Sequence, residues 1–362
     1  MGPLPAPQPR RNGHITVSLE ETYLLTRQLA VLQKSGVPLL SSLQALEEQL
    51  ASPALARILR GVNGDLQEGK TLSQALARHP GAFGPVYLGL VRVGEAGGLL
   101  DETLAQLARL FEWEIEVRNR MREALQYPLI VLLTLGIAIV VTAIFVLPRF
   151  AEMFRSFHIT LPLQTRLLIG LSQLLSQYGW LLLLGVLGTG FAWWSYIRTD
   201  AGRLRWHGWQ LRLPVLGPVF LELAMSRFAR VTAALVRSGV PMLETLALAE
   251  ESVPNRRVRL AIEAVRGRIR SGEPLSQAMR AAALFPPVVI QMVATGEETG
   301  RMDELLHSVS DYYDQQTAYV VKRLITCIEP VLLIVVGLGV LVMASAVLMP
   351  MWDLVQVFKQ GR

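Results

Sequence analysis

The sequence predicts an all-α polytopic membrane protein with three transmembrane helices and two homologous cytoplasmic six-helix bundles. Three observations carry that prediction. First, three stretches of nineteen residues, Leu129–Leu147, Gly179–Ile197 and Val331–Met349, hold no charge, and a bilayer crossing takes about 20 residues. Second, the chain repeats itself, at an offset of 203 residues early in the repeat and 202 later. Third, helix start and stop signals recur throughout, and no β-branched alternating run appears.

Composition agrees. The chain has 362 residues, 51% of them apolar and 18% charged, where a soluble protein carries about 25% charge. The net charge is +6 and comes from arginine; the only lysines are Lys34, Lys70, Lys322 and Lys359. No basic run is interleaved with aromatics, so nucleic acid is not an expected partner. Cys327 is the only cysteine, which excludes an intrachain disulfide and a thiolate metal cluster.

Residues 1–17 form a Pro-rich tail, MGPLPAPQPRRNG at its start, with no apolar core and so no signal peptide. The first repeat spans 18–127. It opens with SLEE, where Ser18 and Glu21 make a capping box. A helix over Leu19–Gln33 stops at Gly36. Pro38 opens a helix to about Leu50, and Pro53 another to about Val62. Thr71–Arg78 and Pro85–Val93 follow. A long helix from about Leu99 runs into the first span, 128–148, with Glu114–Arg118 and Glu116–Arg120 pairs at i,i+4. A periplasmic loop (149–178) and the second span (179–197) lie between the copies. The second repeat is 198–329, the third span 330–350, and a periplasmic tail 351–362. SGVPLL (Ser35–Leu40) returns as SGVPML (Ser238–Leu243), LSQAL (Leu72–Leu76) as LSQAM (Leu275–Met279), and GEAGGLLDE (Gly94–Glu102) as GEETGRMDE (Gly296–Glu304).

Two spans separate the copies, so both lie on one side. Nine Arg and Lys flank the spans on that side and five on the other. The excess assigns the repeats to the cytoplasm and the C-terminus to the periplasm.

Gly64–Thr71, GDLQEGKT, matches the P-loop pattern and raises the alternative of a membrane ATPase using Lys70. The context argues against it. The preceding residues read as a helix end, not a strand, and Asp65 and Glu68 bring negative charge to an anion site. The second copy, GRIRSGEP, keeps both glycines but has Glu273 and Pro274 where the first has Lys70 and Thr71. TLSQ reads instead as a capping box of Thr71 and Gln74, and Pro274 suits a helix's first turn. The five histidines show no i,i+4 pair, and neither HExxH nor G-x-S-x-G occurs. The spans contain no Asp, Glu, Lys, Arg or His, against the alternative of a small-solute transporter. No catalytic residue is assigned.

GE-x-x-G, at Gly94–Gly98 and Gly296–Gly300, is the most distinctive local feature. It reads as a glycine turn whose glutamate satisfies nearby backbone N–H groups. The functional alternative has Glu95, Asp101, Glu297 and Asp303 contacting a partner, or Glu95 as a calcium ligand. No other cofactor is expected.

RQLAVLQKSGVPLL, VGEAGGLLDETL, LPLQTRLL, RFARVTAALVRSGVPMLETL and FPPVVIQMVATGEETGRMDELL, with the prolines Pro128 and Pro330 before the spans, resemble the type II secretion F-domain family over residues 18–357. These are inner-membrane platform proteins of bacterial type II secretion and type IV pilus assembly. The resemblance implies a scaffold that is not an enzyme. It implies contacts with a cytoplasmic secretion ATPase, with bitopic inner-membrane assembly proteins, with pilin or pseudopilin subunits and with further copies of itself. Its implied role is to couple the ATPase to extraction and polymerisation of pilin-like subunits. The resemblance implies a calcium ligand at Glu95, but the partnering acidic position is replaced by PLLSSL at Pro38–Leu43. PMWDLVQVF at Pro350–Phe358 leans toward pilus-type members.

Overall fold

The computed structural model describes residues 17–50, 52–142, 145, 184–185, 187–214 and 216–360. The expectations for residues 1–16, for the 149–178 loop and for 179–183 lie outside the described residues. Among the described residues the chain is all helical, with no strand. The first repeat holds α1 (Leu19–Lys34), α2 (Leu39–Gln49), α3 (Pro53–Gln67), α4 (Leu72–Ala77), α5 (Pro85–Gly97) and α6 (Leu100–Val141). Residues 187–198 are helical, and α7 (Asp200–Gln210) follows. The second repeat holds α8 (Leu216–Arg237), α9 (Met242–Ser252), α10 (Arg256–Arg270), α11 (Leu275–Ala281), α12 (Pro287–Thr299) and α13 (Met302–Gln360).

Local chemistry sets the ends. The Ser18 hydroxyl accepts from Glu21 N at 3.1 Å, and the Glu21 carboxylate accepts from Ser18 N at 2.8 Å. Thr71 and Gln74 cap α4 in the same way. Three details differ from the sequence reading. Pro274 is the N-cap of α11 instead of a first-turn residue. α3 runs beyond Val62 to Gln67. α5 runs to Gly97, so Gly94 and Glu95 are helical and only Gly98 turns left-handed, at φ 67°. Pro128 lies inside α6, and Pro330 and Pro350 lie inside α13.

The chain divides into two compact units. One is Met1–Asn119 with Gly217–Ala318; the other is Arg120–Leu216 with Tyr319–Arg362. In the first unit, α1 to α5 of the first repeat and α9 to α12 of the second pack side by side in chain order. Core positions coincide between copies: Leu25 with Phe228, Leu43 with Leu246, Leu59 with Ile262, Leu72 with Leu275, Phe83 with Phe285, Leu104 with Leu306, all buried. Each such side chain contributes about 1.5–3 kcal/mol of burial. Polar ties coincide too. Tyr23 donates to Glu112 at 3.3 Å, and Ser226 to Asp314 at 2.6 Å, joining the first helix to the last. Asn63 donates to Glu47 at 2.9 Å, and Arg266 pairs with Glu250 at 3.1 Å, joining the second helix to the third. Burial pushes the Glu250 carboxyl above its ordinary value.

The two repeats touch each other through different faces. α5 lies on α9: a Cβ at Gly89 would fall 2.6 Å from Leu248 Cδ1, and Arg92 pairs with Glu244. α6 lies on α8: Ser238 donates to Gln106 at 2.7 Å, Arg227 pairs with Glu114 at 3.0 Å, and the Arg230 guanidinium sits 5.1 Å from the Trp113 ring centroid. Glu114 thus reaches across to the other repeat, instead of pairing one turn along with Arg118.

The second unit carries the apolar parts of α6 and α13, both long and apolar enough to cross a membrane. Leu129, Leu133, Ile137, Val331, Ile334 and Leu338 are exposed along them. The two helices meet where a Cβ at Gly339 would fall 3.0 Å from the Leu135 methyls, the close approach small residues permit. Arg198 stacks 3.7 Å over the Trp194 ring, and Trp193, Trp206 and Trp209 pack in sequence with centroids 5.4 and 5.2 Å apart.

The cores diverge at one polar spot. In the first repeat the buried Tyr87 hydroxyl lies 3.2 Å from Thr26 Oγ1, and the phenol is pushed up to about 12 by burial. In the second repeat Ala229 and Val289 replace that pair, and Tyr313 stands where the first has Phe111. The Tyr313 hydroxyl is buried without a hydrogen-bond partner, beside an apolar cavity of about 10 Å³. That volume holds at most one water, so it is a packing gap and not a ligand site.

Opposite shifts are expected from two hydroxyl deletions. Tyr313→Phe removes an orphan donor and stabilises by about 1 kcal/mol, whereas Tyr87→Phe removes a satisfied bond and destabilises by about the same. Thermal unfolding of the detergent-solubilised chain reads both signs.

Candidate functional site at the paired GE-x-x-G motifs

α4 and α11 are short, with 6 and 7 residues. A helix that short cannot stand alone, because nucleation fixes several residues for few bonds. Its first N–H groups also lack partners within the helix. The glutamate of GE-x-x-G supplies those partners in both copies. Glu95 accepts from the backbone N–H of Leu72, from Ser73 N at 3.2 Å and from Ser73 Oγ at 2.8 Å. Glu297 accepts from Leu275 N, from Ser276 N at 3.1 Å and from Ser276 Oγ. A carboxylate there also faces the positive end of the helix.

The other positions of the motif have equally local reasons. Gly94 lets α5 approach α6, since a Cβ would fall 2.1 Å from Thr103 Oγ1. Gly98 and Gly300 end α5 and α12 in the left-handed conformation, at φ 67° and 70°. Asp101 and Asp303 lie in the first turns of α6 and α13, favourable for the same dipole reason. Among the described residues no hydrogen bond or ion pair joins Glu95 to Asp101, or Glu297 to Asp303. Nor does any group of three or more His, Cys, Asp or Glu there stand ready for a metal ion.

The P-loop-like stretch resolves into a charge network. Gly69 is left-handed at φ 86° between α3 and α4. Lys70 Nζ lies 2.7 Å from Asp65 and 2.8 Å from Glu68, and Arg78 also reaches Asp65. The bond from Lys70 holds the Asp65 carboxyl below its ordinary value, and the bond to Asp65 raises the Lys70 ammonium. The lysine is therefore engaged by carboxylates. In the second copy the same two positions pair with reversed signs: Arg268 lies 3.3 Å from Glu273. A nucleotide site needs a cation at that position, whereas a strap between helices needs only opposite charges.

Sequence reasoning missed the partner of the glutamate. The signal was present: LSQA and GE-x-x-G both recur, and the serine of one is bound by the glutamate of the other.

Glu95→Ala strips three acceptor contacts and is expected to lower stability by about 2–3 kcal/mol. Glu297→Ala does the same in the second repeat, and Glu95→Gln costs less. Calcium added to the wild type is expected to leave the melting temperature unchanged, because the Glu95 oxygens already hold α4. Differential scanning fluorimetry separates these outcomes.

The comparisons with known proteins agree with this duplicated geometry. The family described as Type II secretion system (T2SS), protein F, matches twice, over residues 25–148 and 228–350. A "Type IV pilus assembly protein PilC" of Myxococcus xanthus is 34% identical over 322 residues, 88% of this chain and 76% of that protein. The PilC of Thermus thermophilus is 36% identical over 340 residues, covering 93% and 83%. The "Type II secretion system protein F" of Pseudomonas aeruginosa is 34% identical over 354 residues, covering 96% and 87%. Two copies of one matched domain, on a chain aligned almost end to end with both kinds of relative, mean that this protein belongs to the type II secretion system protein F family.

Proposed function

We propose that this chain is the inner-membrane platform of a type II secretion or type IV pilus assembly machine. It has three spans, both repeats in the cytoplasm and its C-terminus in the periplasm. It performs no chemistry of its own and couples a cytoplasmic secretion ATPase to extraction and polymerisation of pilin-like subunits, alongside bitopic assembly proteins.

The observation that carries this reading is the contact between the repeats. Groups bonded across α5–α9 and α6–α8 share one compartment. The apolar half of α6 leaves that compartment, so the chain must return before α8. The charge-free run between Arg166 and Arg198 supplies that return span, taken as 179–197, which makes an even number of crossings between the copies. The apolar end of α13 adds the third. The stacked tryptophans with Arg198 suit a membrane–water boundary. Because α6 and α13 each begin in a repeat and continue as an apolar helix, a push on the repeats reaches the bilayer through backbone. The family relatives named for pilus assembly and for secretion support the choice of machine.

Photo-crosslinking groups at exposed positions of α3 and α10, in cells that assemble the machine, are expected to trap the ATPase. No adduct at any such position in working cells would overturn the coupling. Lys70→Glu together with Asp65→Arg installs the second copy's charge order and is expected to retain secretion or piliation; loss of function in this folded variant would revive a nucleotide role for Lys70.

A further inference from the structure

The contact between the repeats is heterologous. The first repeat uses α5 and α6, and the second uses α8 and α9. Because the two copies are duplicates, the counterparts of those faces also exist. The counterpart of α8–α9 is α1–α2, and the counterpart of α5–α6 is α12–α13. Both counterparts carry exposed positions, among them Leu24, Val31, Ser41 and Ala45 on the first and Gln291 and Ser308 on the second. Leu24 and Val31 of α1 are 50% and 60% exposed, whereas Arg227 and Ala234 at the same positions of α8 are half-buried, Arg227 against Glu114 of the first repeat. Ser41 and Ala45 of α2 are exposed where Glu244 and Leu248 of α9 are half-buried. Ser308 of α13 is exposed where Gln106 of α6 is buried.

The open faces also match each other position by position. Within the chain, Gly89 is small because Leu248 lies against it. On the open faces the sizes are exchanged: Gln291 stands at the glycine position and Ala45 at the leucine position. The ion pair Arg92–Glu244 becomes Ala294 and Ser41, and the ion pair Glu114–Arg227 becomes Gln316 and Leu24. These two pairs lose both charges together; the third contact, Arg230 over Trp113, becomes Arg27 and Gln315, and the Arg27 guanidinium already donates to the Tyr23 hydroxyl at 3.1 Å. An unpaired buried charge is what most often forbids such a contact.

We propose that the α1–α2 face of the first repeat binds the α12–α13 face of the second repeat in another copy of this chain, repeating between molecules the contact that joins the repeats within one. Each copy offers one face of each kind. A heterologous contact of this sort closes into a ring if its rotation divides a full turn. The inference names one partner within the platform reading but stands on the duplication alone. Adducts with the ATPase that persist while copies fail to join would sink only this inference.

The test uses full chains carrying Cys327→Ala. One tagged copy carries Ser35→Cys and a differently tagged copy carries Ser308→Cys, the counterparts of the bonded Ser238 and Gln106. Mild oxidation in membranes is expected to join the two tags in one disulfide-linked species. Either variant alone should give at most about a tenth of that yield. Adding Leu24→Glu and Val31→Glu, both on an exposed face, should lower the mixed yield about tenfold and leave the melting temperature unchanged. No mixed species, an equal yield from Ser35→Cys with itself, or indifference to the two glutamates would each overturn the proposal.

Discussion

Arg92 and Glu244 are 152 residues apart in the chain and bonded in the fold. With Gln106–Ser238, Glu114–Arg227 and Trp113–Arg230, that contact makes one packed unit of two repeats. The rest follows from it. Groups that touch cannot be separated by a bilayer, so whatever the chain does between α6 and α8, it must come back. The contact therefore constrains topology more strongly than the distribution of arginines does. It also explains why the copies have diverged on the surface while agreeing inside: each presents a different face to the other.

The duplication acts as an internal control on every local reading. A residue kept in both copies serves the shared fold, and a residue kept in one serves something else. By that standard the glutamates of GE-x-x-G are fold residues, since Glu95 and Glu297 grip the same amides and the same serine hydroxyl. Lys70 gives way to Glu273, and its partner Asp65 gives way to Arg268. A strap that survives reversal of both charges depends on their product and not on their sign. Tyr313 is the opposite case, a buried hydroxyl that the first copy does without.

Much of this was legible beforehand. Proline, glycine and capping residues punctuate the chain so often that helix starts fell within a residue at Leu19, Pro53 and Pro85. Two of the three charge-free runs fall on the long apolar helices α6 and α13. Helix ends were harder. α5 continues through Gly94 because Thr103 of α6 lies against it, a contact formed only in the folded repeat. The partner of Glu114 was misread for the same reason. An i,i+4 arginine is visible in a sequence, but Arg227 comes near only after the two repeats pack. The exchange of Gly89 and Leu248 for Gln291 and Ala45 likewise has no meaning until the first pair is seen in contact.

The placement of both repeats on one side of the membrane is best tested by thiol labelling in a Cys327→Ala background, with Glu48→Cys in the first repeat and Arg257→Cys in the second. Both positions are exposed. With a membrane-impermeant maleimide, neither cysteine should label in intact spheroplasts, and both should label once the inner membrane is opened. Labelling of one from outside while the other stays protected would put the repeats in different compartments and contradict the contact from which the whole account proceeds.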